Sequence, residues 1–242
     1  GISMIIMVGI IATLPQALIF EFTAQVNKGG LLTFVFELAA FFGVTMLCIL
    51  IVQGVRRIPI QFAKRMVGRG NANIPQSGAR DYIPLKVNAA GVMPIIFAQA
   101  ILFLPMTIAQ YFMSSDGSTA QTGGFLRSLN DPFSMTTAVF SFVLVVVFTY
   151  IYTALIVNPQ QYAEYLKRQN AFIPGIKPGK DTADFIDNIT TRVTLPGALF
   201  LGLITILPKF AFNAGVNQGF AIFFGGTSLL ILVGVVLDTL QQ

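Results

Sequence analysis

Enzymatic chemistry needs groups that ionise, attack or ligate, and this sequence offers few. Among 242 residues there are 15 Lys and Arg, 10 Asp and Glu, one Cys and no His. The missing His rules out a Ser-His-Asp triad, a His-ligated metal and an HExxH zinc site within the chain. A single Cys, Cys48, makes neither a thiolate cluster nor an intrachain disulfide, and in its apolar run it reads as a packed small hydrophobe. There is no GxxxxGK[ST] phosphate loop. The expectation is a non-enzymatic protein with no cofactor and no metal. Two carboxylates, Glu37 and Asp238, sit in apolar sequence near opposite ends of their runs. An acid inside a membrane is a functional candidate by default, but one near a helix end reaches the interface, and the sequence favours that reading for both.

The remaining candidates are cations, and they are clustered. Residues 56–86 hold Arg56, Arg57, Lys64, Arg65, Arg69, Arg80 and Lys86 against one acid, Asp81. Residues 158–192 hold Lys167, Arg168, Lys177, Lys180 and Arg192 against Glu164, Asp181, Asp184 and Asp187. Lys177 lies between two Pro-Gly steps in "AFIPGIKPGKDT". Proline restricts its own φ and the residue before it, and glycine permits a sharp turn. A stiff loop holds a charge at a fixed place and loses little entropy on docking. The plainer reading, a helix-to-helix turn whose lysines only set topology, stands beside it.

The elements that position these cations are set by the apolar runs. The chain is 55% hydrophobic and 10% charged, against about a quarter charged in soluble domains. A membrane helix needs about 20 mainly apolar residues. The sequence predicts spans at 1–20, 33–55, 87–111, 135–157, 193–211 and 219–239, the fifth bracketed by Pro196 and Pro208. The loops at 21–32, 112–134 and 209–218 carry one basic residue each: Lys28, Arg127 and Lys209. The positive-inside rule then puts 56–86 and 158–192 in the cytosol and the other three loops outside. The chain begins at Gly1 within an apolar run, so a piece of a longer protein is expected. A signal peptide is not, since no basic region precedes the first run.

Both basic loops show local order. In "RRIPIQFAK" Ile58, Ile60 and Phe62 alternate with Arg57, Pro59 and Gln61, a strand period. "YIPLKV" is its expected partner across the turn-rich "GRGNANIPQSG". Pro59 and Pro84 should keep this hairpin an edge-type pair outside any larger sheet. "NPQQYAEYLKRQN" predicts a short helix with Asn158 as N-cap and Pro159 first. "DTADFIDNIT" predicts a second helix, with Asp181 as N-cap and Phe185, Ile189 and Val193 on one packing face.

Five stretches taken in order carry a family resemblance: "GISMIIMVGI", "RRIPIQFAKR", "IPLKVNAAGVMPIIFA", "YTALIVNPQQYAEYLKRQNAFIPGIKPG" and "FGGTSLLILVGVVLD". Together they resemble the SecY family, the central subunits of the bacterial protein-conducting channel. No single stretch is decisive, but the ordered set is specific and spans nearly the whole chain.

The resemblance implies an all-α polytopic membrane bundle, ten helices in two halves of five. This chain would supply the fifth helix and helices six to ten, with the first four and the plug belonging to the missing N-terminal helices of the same protein. The pore ring would fall on Ile2, Ile6, Ile96 and Ile231, and the lateral gate on Asn88 and Gln99. Ribosome and SecA docking would fall on Arg56, Arg57, Lys64, Arg65, Arg168 and Lys177. The family's usual residue at the Lys177 position is arginine; lysine keeps the charge and loses the planar fork. Implied partners are SecE, SecG, the SecA ATPase, the ribosome, signal sequences and nascent polypeptide, and membrane lipid. The implied location is the bacterial cytoplasmic membrane.

From residue types alone, Ile2 and Ile6 share a helix face that suits lipid or core. Asn88 and Gln99 suit ordinary interhelical hydrogen bonds. The competing function is half of a secondary solute transporter, which needs a midplane site with substrate-pairing charges; the scarcity of buried charge argues against it. An intramembrane enzyme is set aside for lack of His and Cys chemistry.

Overall fold

The computed structural model describes residues 2–63, 80–115, 128, 131, 133–224 and 227–241. The chain is mostly helical. Helix α1 (Ile2–Asn27) turns at Lys28–Gly30 into α2 (Leu31–Val52), and strands β1 (Val55–Phe62) and β2 (Arg80–Lys86) follow. Then come α3 (Met93–Ser115), α4 (Met135–Ile156), α5 (Pro159–Arg168) and the short β3 (Ala171–Phe172). The long α6 (Lys180–Asn213), α7 (Gln218–Ala221) with a 3-10 turn at Ile222–Phe224, and α8 (Thr227–Gln241) complete the order.

Among the described residues, α1, α2, α4 and α6 each contain an apolar stretch long enough to cross a membrane. The apolar parts described in α3 and α8, Met93–Ile108 and Ser228–Leu237, are shorter. Helices α1 and α2 are apolar on every side and little covered by protein: Ile5, Leu32 and Phe36 are each more than two-thirds exposed. Helices of that kind find a stable solvent in lipid. The bundle core is formed by Cys48 of α2, Ile95 and Ala98 of α3, Val145 of α4, Leu201 and Ile204 of α6, and Leu229, Leu230 and Val233 of α8. Cys48 is fully buried there, as its apolar run led one to expect.

Several boundaries differ from the sequence reading. Helix α1 continues through Glu21 to Asn27, so most of the expected loop at 21–32 is helix. The run at 193–211 is the second part of a longer helix, because α6 is one 34-residue helix that begins at Lys180 and contains both Pro196 and Pro208. Each proline removes one backbone donor, and neighbouring helices let a membrane bundle tolerate that loss. The expected span at 219–239 is interrupted, with α7 and the 3-10 turn preceding α8. Asn88 lies in the turn ahead of α3, which starts at Met93.

Strands β1 and β2 pair antiparallel from Val55↔Lys86 to Gln61↔Arg80, and the residues that join them, 64–79, lie outside the described residues. The two strands are not an isolated pair. Strand β3 adds to the other edge of β1 through Gln61↔Phe172 and Phe62↔Ala171, giving the order β2-β1-β3. Pro59 lies two residues short of that pairing, so it withholds no donor where β3 attaches. Ala63 N–H donates to the Asn170 carbonyl at 2.8 Å and extends the contact.

Candidate functional site

Two places gather the residues singled out by the sequence: a polar module built on the three strands and α5, and a cavity among the helices.

The module has its own apolar core. Ile58 and Ile60 of β1, Leu85 of β2, Leu166 of α5, Ala171 and Ile173 around β3, and Ile186 of α6 are buried together. Phe185 and Ile189 pack against them, as the spacing along "DTADFIDNIT" predicts. Asn158 caps α5 as expected, its Oδ1 accepting from the N–H groups of Gln160 and Gln161 at 3.1 and 3.4 Å. Asp181, by contrast, lies in the first turn of α6 and the N-cap is Gly179.

The stiff loop starts on β3. Ile176 N–H donates to the Ile173 carbonyl at 3.1 Å, closing a turn with Pro174 second and Gly175 third at φ +86°. That is the residue pattern of a type II turn, where the third position favours glycine. Gly179 at φ +124° makes the second bend. The buried Thr182 donates its Oγ1–H to the Lys177 carbonyl at 2.8 Å, fixing the backbone of the tip while the Lys177 side chain stays exposed.

The cations divide by face. Arg57 and Arg80 fall on the outer face of the hairpin with Tyr82, whereas strand alternation sets Arg56 on the face of Ile58, opposite Leu85. Both arginines are exposed. Arg168, in the last turn of α5, lies 4.0 Å from Glu164, and both side chains are more than two-thirds exposed. A pair so solvated contributes little to stability and leaves Arg168 available to a partner. Lys64 and Arg65 lie outside the described residues.

The cavity, about 560 Å³, lies between α1, α3, α4, α6 and α8. Ile6 and Ile10 come from α1, Gln99 and Met106 from α3, Thr137 and Ser141 from α4, Thr205 and Pro208 from α6, and Ser228 and Ile231 from α8. The structure therefore brings Ile6, Gln99 and Ile231 together, three residues from distant parts of the sequence. Ile96 is half-buried on α3 and does not line the cavity. Ile2 opens α1, and its side chain lies outside the described set. Asn88 is buried and apart from the cavity, and its Oδ1 has no hydrogen-bond partner among the described residues.

Polar groups that sequence reasoning missed stand at the far end of α1. Glu21 is fully buried and Gln25 nearly so. Their spacing, i and i+4, was visible, but a helix ending at residue 20 hid it.

A SecY family profile matches residues 1–240. The chain belongs to the SecY family. The protein translocase subunit SecY of Chlamydia trachomatis is 40% identical over 250 aligned residues, covering all of this chain and 53% of that protein. The SecY of Mycobacterium tuberculosis is 38% identical over 246, covering all of this chain and 54% of its own length. The chain thus spans about half the length of the curated relatives it matches. Two solved structures share the fold. One is a SecY described for a plug domain that stabilises the closed state of the translocation channel (TM-score 0.62, 15% identity, all of this chain and 58% of that one). The other is described as a protein-conducting channel (TM-score 0.59, 15% identity, 93% of this chain and 52% of that one).

Proposed function

We propose that this SecY-family chain is the larger part of a pore-forming translocase subunit, passing secretory polypeptides across the bacterial cytoplasmic membrane and membrane segments into it. The observation that carries the reading is the family match across residues 1–240. In this reading α3 and α8 cross the membrane together with α1, α2, α4 and α6, giving six spans. The strand module faces the cytosol, and the domain limits follow that topology. The chain is not an enzyme; SecA or the ribosome supplies the drive, and SecE and SecG complete the complex with the rest of the SecY polypeptide.

Ile6 and Ile231, with Ile2 and Ile96, contribute to the constriction. Stiff β-branched side chains fit around a passing chain and exclude water and ions when it is absent. The convergence of Ile6 and Ile231 on one cavity supports this. Asn88 and Gln99 belong to the gate through which signal sequences reach lipid. Gln99 beside Ile6 supports its part; Asn88 is supported by its buried, unpartnered oxygen, a group free to hydrogen-bond across a seam. Arg56, Arg57, Lys64, Arg65, Arg168 and Lys177 dock the ribosome or SecA. The fixed backbone and free side chain of Lys177 support that role. Half of a secondary transporter would need paired charges at a midplane site, and among the described residues none that lines the cavity is charged.

The test uses the full-length protein reconstituted with SecE in vesicles, with SecA and ATP. Preprotein import should fall at least tenfold in Lys177→Glu, the equivalent of about 1.4 kcal/mol of motor coupling, with the complex still assembled. Lys177→Arg should import as wild type does. Unchanged import in Lys177→Glu would reduce the loop to a stiff turn. No import by wild type, where an established channel works, would overturn the channel reading.

A further inference from the structure

The far end of α1 holds a polar cluster that the proposed translocation role does not use. The two hydrogens of one amide are shared out there: Gln25 Nε2 donates to Glu21 Oε1 at 3.0 Å and to Glu37 Oε1 of α2 at 2.9 Å. The other oxygen of Glu21 accepts from the backbone N–H of Asn217, just ahead of α7, at 3.1 Å. The Thr33 hydroxyl of α2 donates its one hydrogen to the Gly30 carbonyl and lies 3.4 Å from Gln25 Oε1. Glu37 Oε2 is buried with no hydrogen-bond partner among the described residues.

Among the described residues, the charged groups that act on Glu37 are Glu21 and Lys28, the latter in the turn after α1. Of the described elements packed here, the end of α6 and all of α7 add no charge, since residues 210–221 contain none; Phe133 packs beside Phe220, and Asp131, two residues before it, is exposed. Lys209, one residue before the uncharged run, is turned to the Met135 sulfur at 2.9 Å. Two carboxyl groups thus converge on one amide, Glu21 fully buried and Glu37 half-buried, with three N–H donors for four oxygens among the described residues. Two full negative charges there repel, and one oxygen lacks a donor. A single proton answers both, as a carboxylic acid O–H supplies the fourth donor and removes one charge.

We propose that Glu21 and Glu37 hold one proton between them and form a proton-dependent latch, fastening the far end of α1 to α2 and to the start of α7. With the proton bound, the three elements are tied. When it leaves to water, repulsion between the carboxylates separates α1 from α2 and releases the Asn217 contact. Helix α1 also carries Ile6 and Ile10 into the cavity, so the latch sets how that helix stands against α8. The cluster lies at the end of α1 away from the cytosolic module, where it would sense the pH outside the cell.

The experiment measures distance rather than import, so an inactive channel does not decide it. Spin labels are placed at Val26→Cys on α1 and Gln218→Cys on α7, both exposed positions. The host is the full-length complex in lipid nanodiscs, in a background without other reactive cysteines. Pulsed electron resonance then follows the distance as pH is raised and returned. The expected result is a reversible lengthening at high pH, lost in Glu37→Gln, whose uncharged amide keeps a donor and holds the short distance throughout. Wild type with one distance at every pH would overturn the latch, and needs no variant to show it. A shift of equal size in Glu37→Gln would overturn the assignment to this pair.

Discussion

At the residue scale, the cavity is where side-chain type matters most. Ile231 is buried at its wall, and Ile6, on a helix more than 220 residues away in sequence, meets the same space. Both side chains are purely apolar, so in the proposed constriction their contribution is shape and apolar surface. A hydrophobic constriction blocks water and ions because wetting it is costly. Ile231→Asn removes part of that cost by offering water an amide. A loss of about 1.4 kcal/mol from the barrier would raise ion leak through the resting channel roughly tenfold. Planar-bilayer conductance of the full-length complex measures this directly, and Ile231→Val, which keeps the branched shape, should leak no more than wild type. Equal conductance in all three would remove Ile231 from the constriction.

At the element scale, α6 joins the strand module to the helix bundle, packing most extensively on α4, and its glycines explain how. A Cβ on Gly197 would stand 2.6 Å from the Val87 carbonyl oxygen, and one on Gly202 would stand 2.5 Å from the Phe142 ring of α4. The first neighbour is backbone at the base of the hairpin, where Val87 N–H donates to the Gly54 carbonyl at 2.9 Å. It cannot swing aside as a ring can. Gly197→Ala should therefore destabilise the full-length complex by about 1–3 kcal/mol despite the better helix propensity of alanine. Gly234→Ala in α8, whose Cβ would meet Val92 at an ordinary 3.6 Å, should instead be neutral or stabilising by up to about 1 kcal/mol. Thermal unfolding in detergent separates the two, and equal midpoints would refute the packing argument. The same elements show what a sequence can and cannot disclose. The alternation at Ile58 and Ile60, the cap at Asn158 and the turn at Pro174–Gly175 are local patterns, and each was legible. The continuity of α6 was not, because Pro196 and Pro208 read as helix ends until a bundle surrounds them. Nor was β3, since two residues carry no periodicity and their partner lies about 110 residues earlier. The end of α1 was misplaced because Glu21 looks like an exit to water, and its burial is offset, among the described residues, by Gln25 and the Asn217 N–H. In the candidate site, residue types and the family pattern named Ile6, Ile231 and Gln99, but the shared cavity emerges only from tertiary packing.

At the scale of the whole molecule, charge and hydrophobicity are segregated along the chain, and the segregation sets what each end can bind. Cations gather on the strand module, where a common apolar core holds the hairpin, α5, β3 and the start of α6 as one body. From there α6 runs roughly 50 Å at 1.5 Å per residue, past the hairpin base at Gly197 to the cavity wall at Thr205 and Pro208. A partner that grips the module therefore grips the same helix that lines the cavity. If that partner is ribosomal RNA, each phosphate contact releases a counterion, and log affinity falls linearly with log salt. Strand alternation distinguishes the arginines here: Arg57 stands on the outer face with Arg80, while Arg56 is turned to the core side. Arg57→Ala should weaken ribosome binding to the full-length complex and reduce the salt slope by about 0.7–0.9, the share of one phosphate. Arg56→Ala should change the slope less. Titration of ribosomes onto the complex in nanodiscs across a salt series gives both numbers. Equal slopes for the two variants would mean that the hairpin meets its partner edge-on, and that the face on which a cation stands does not select the contact.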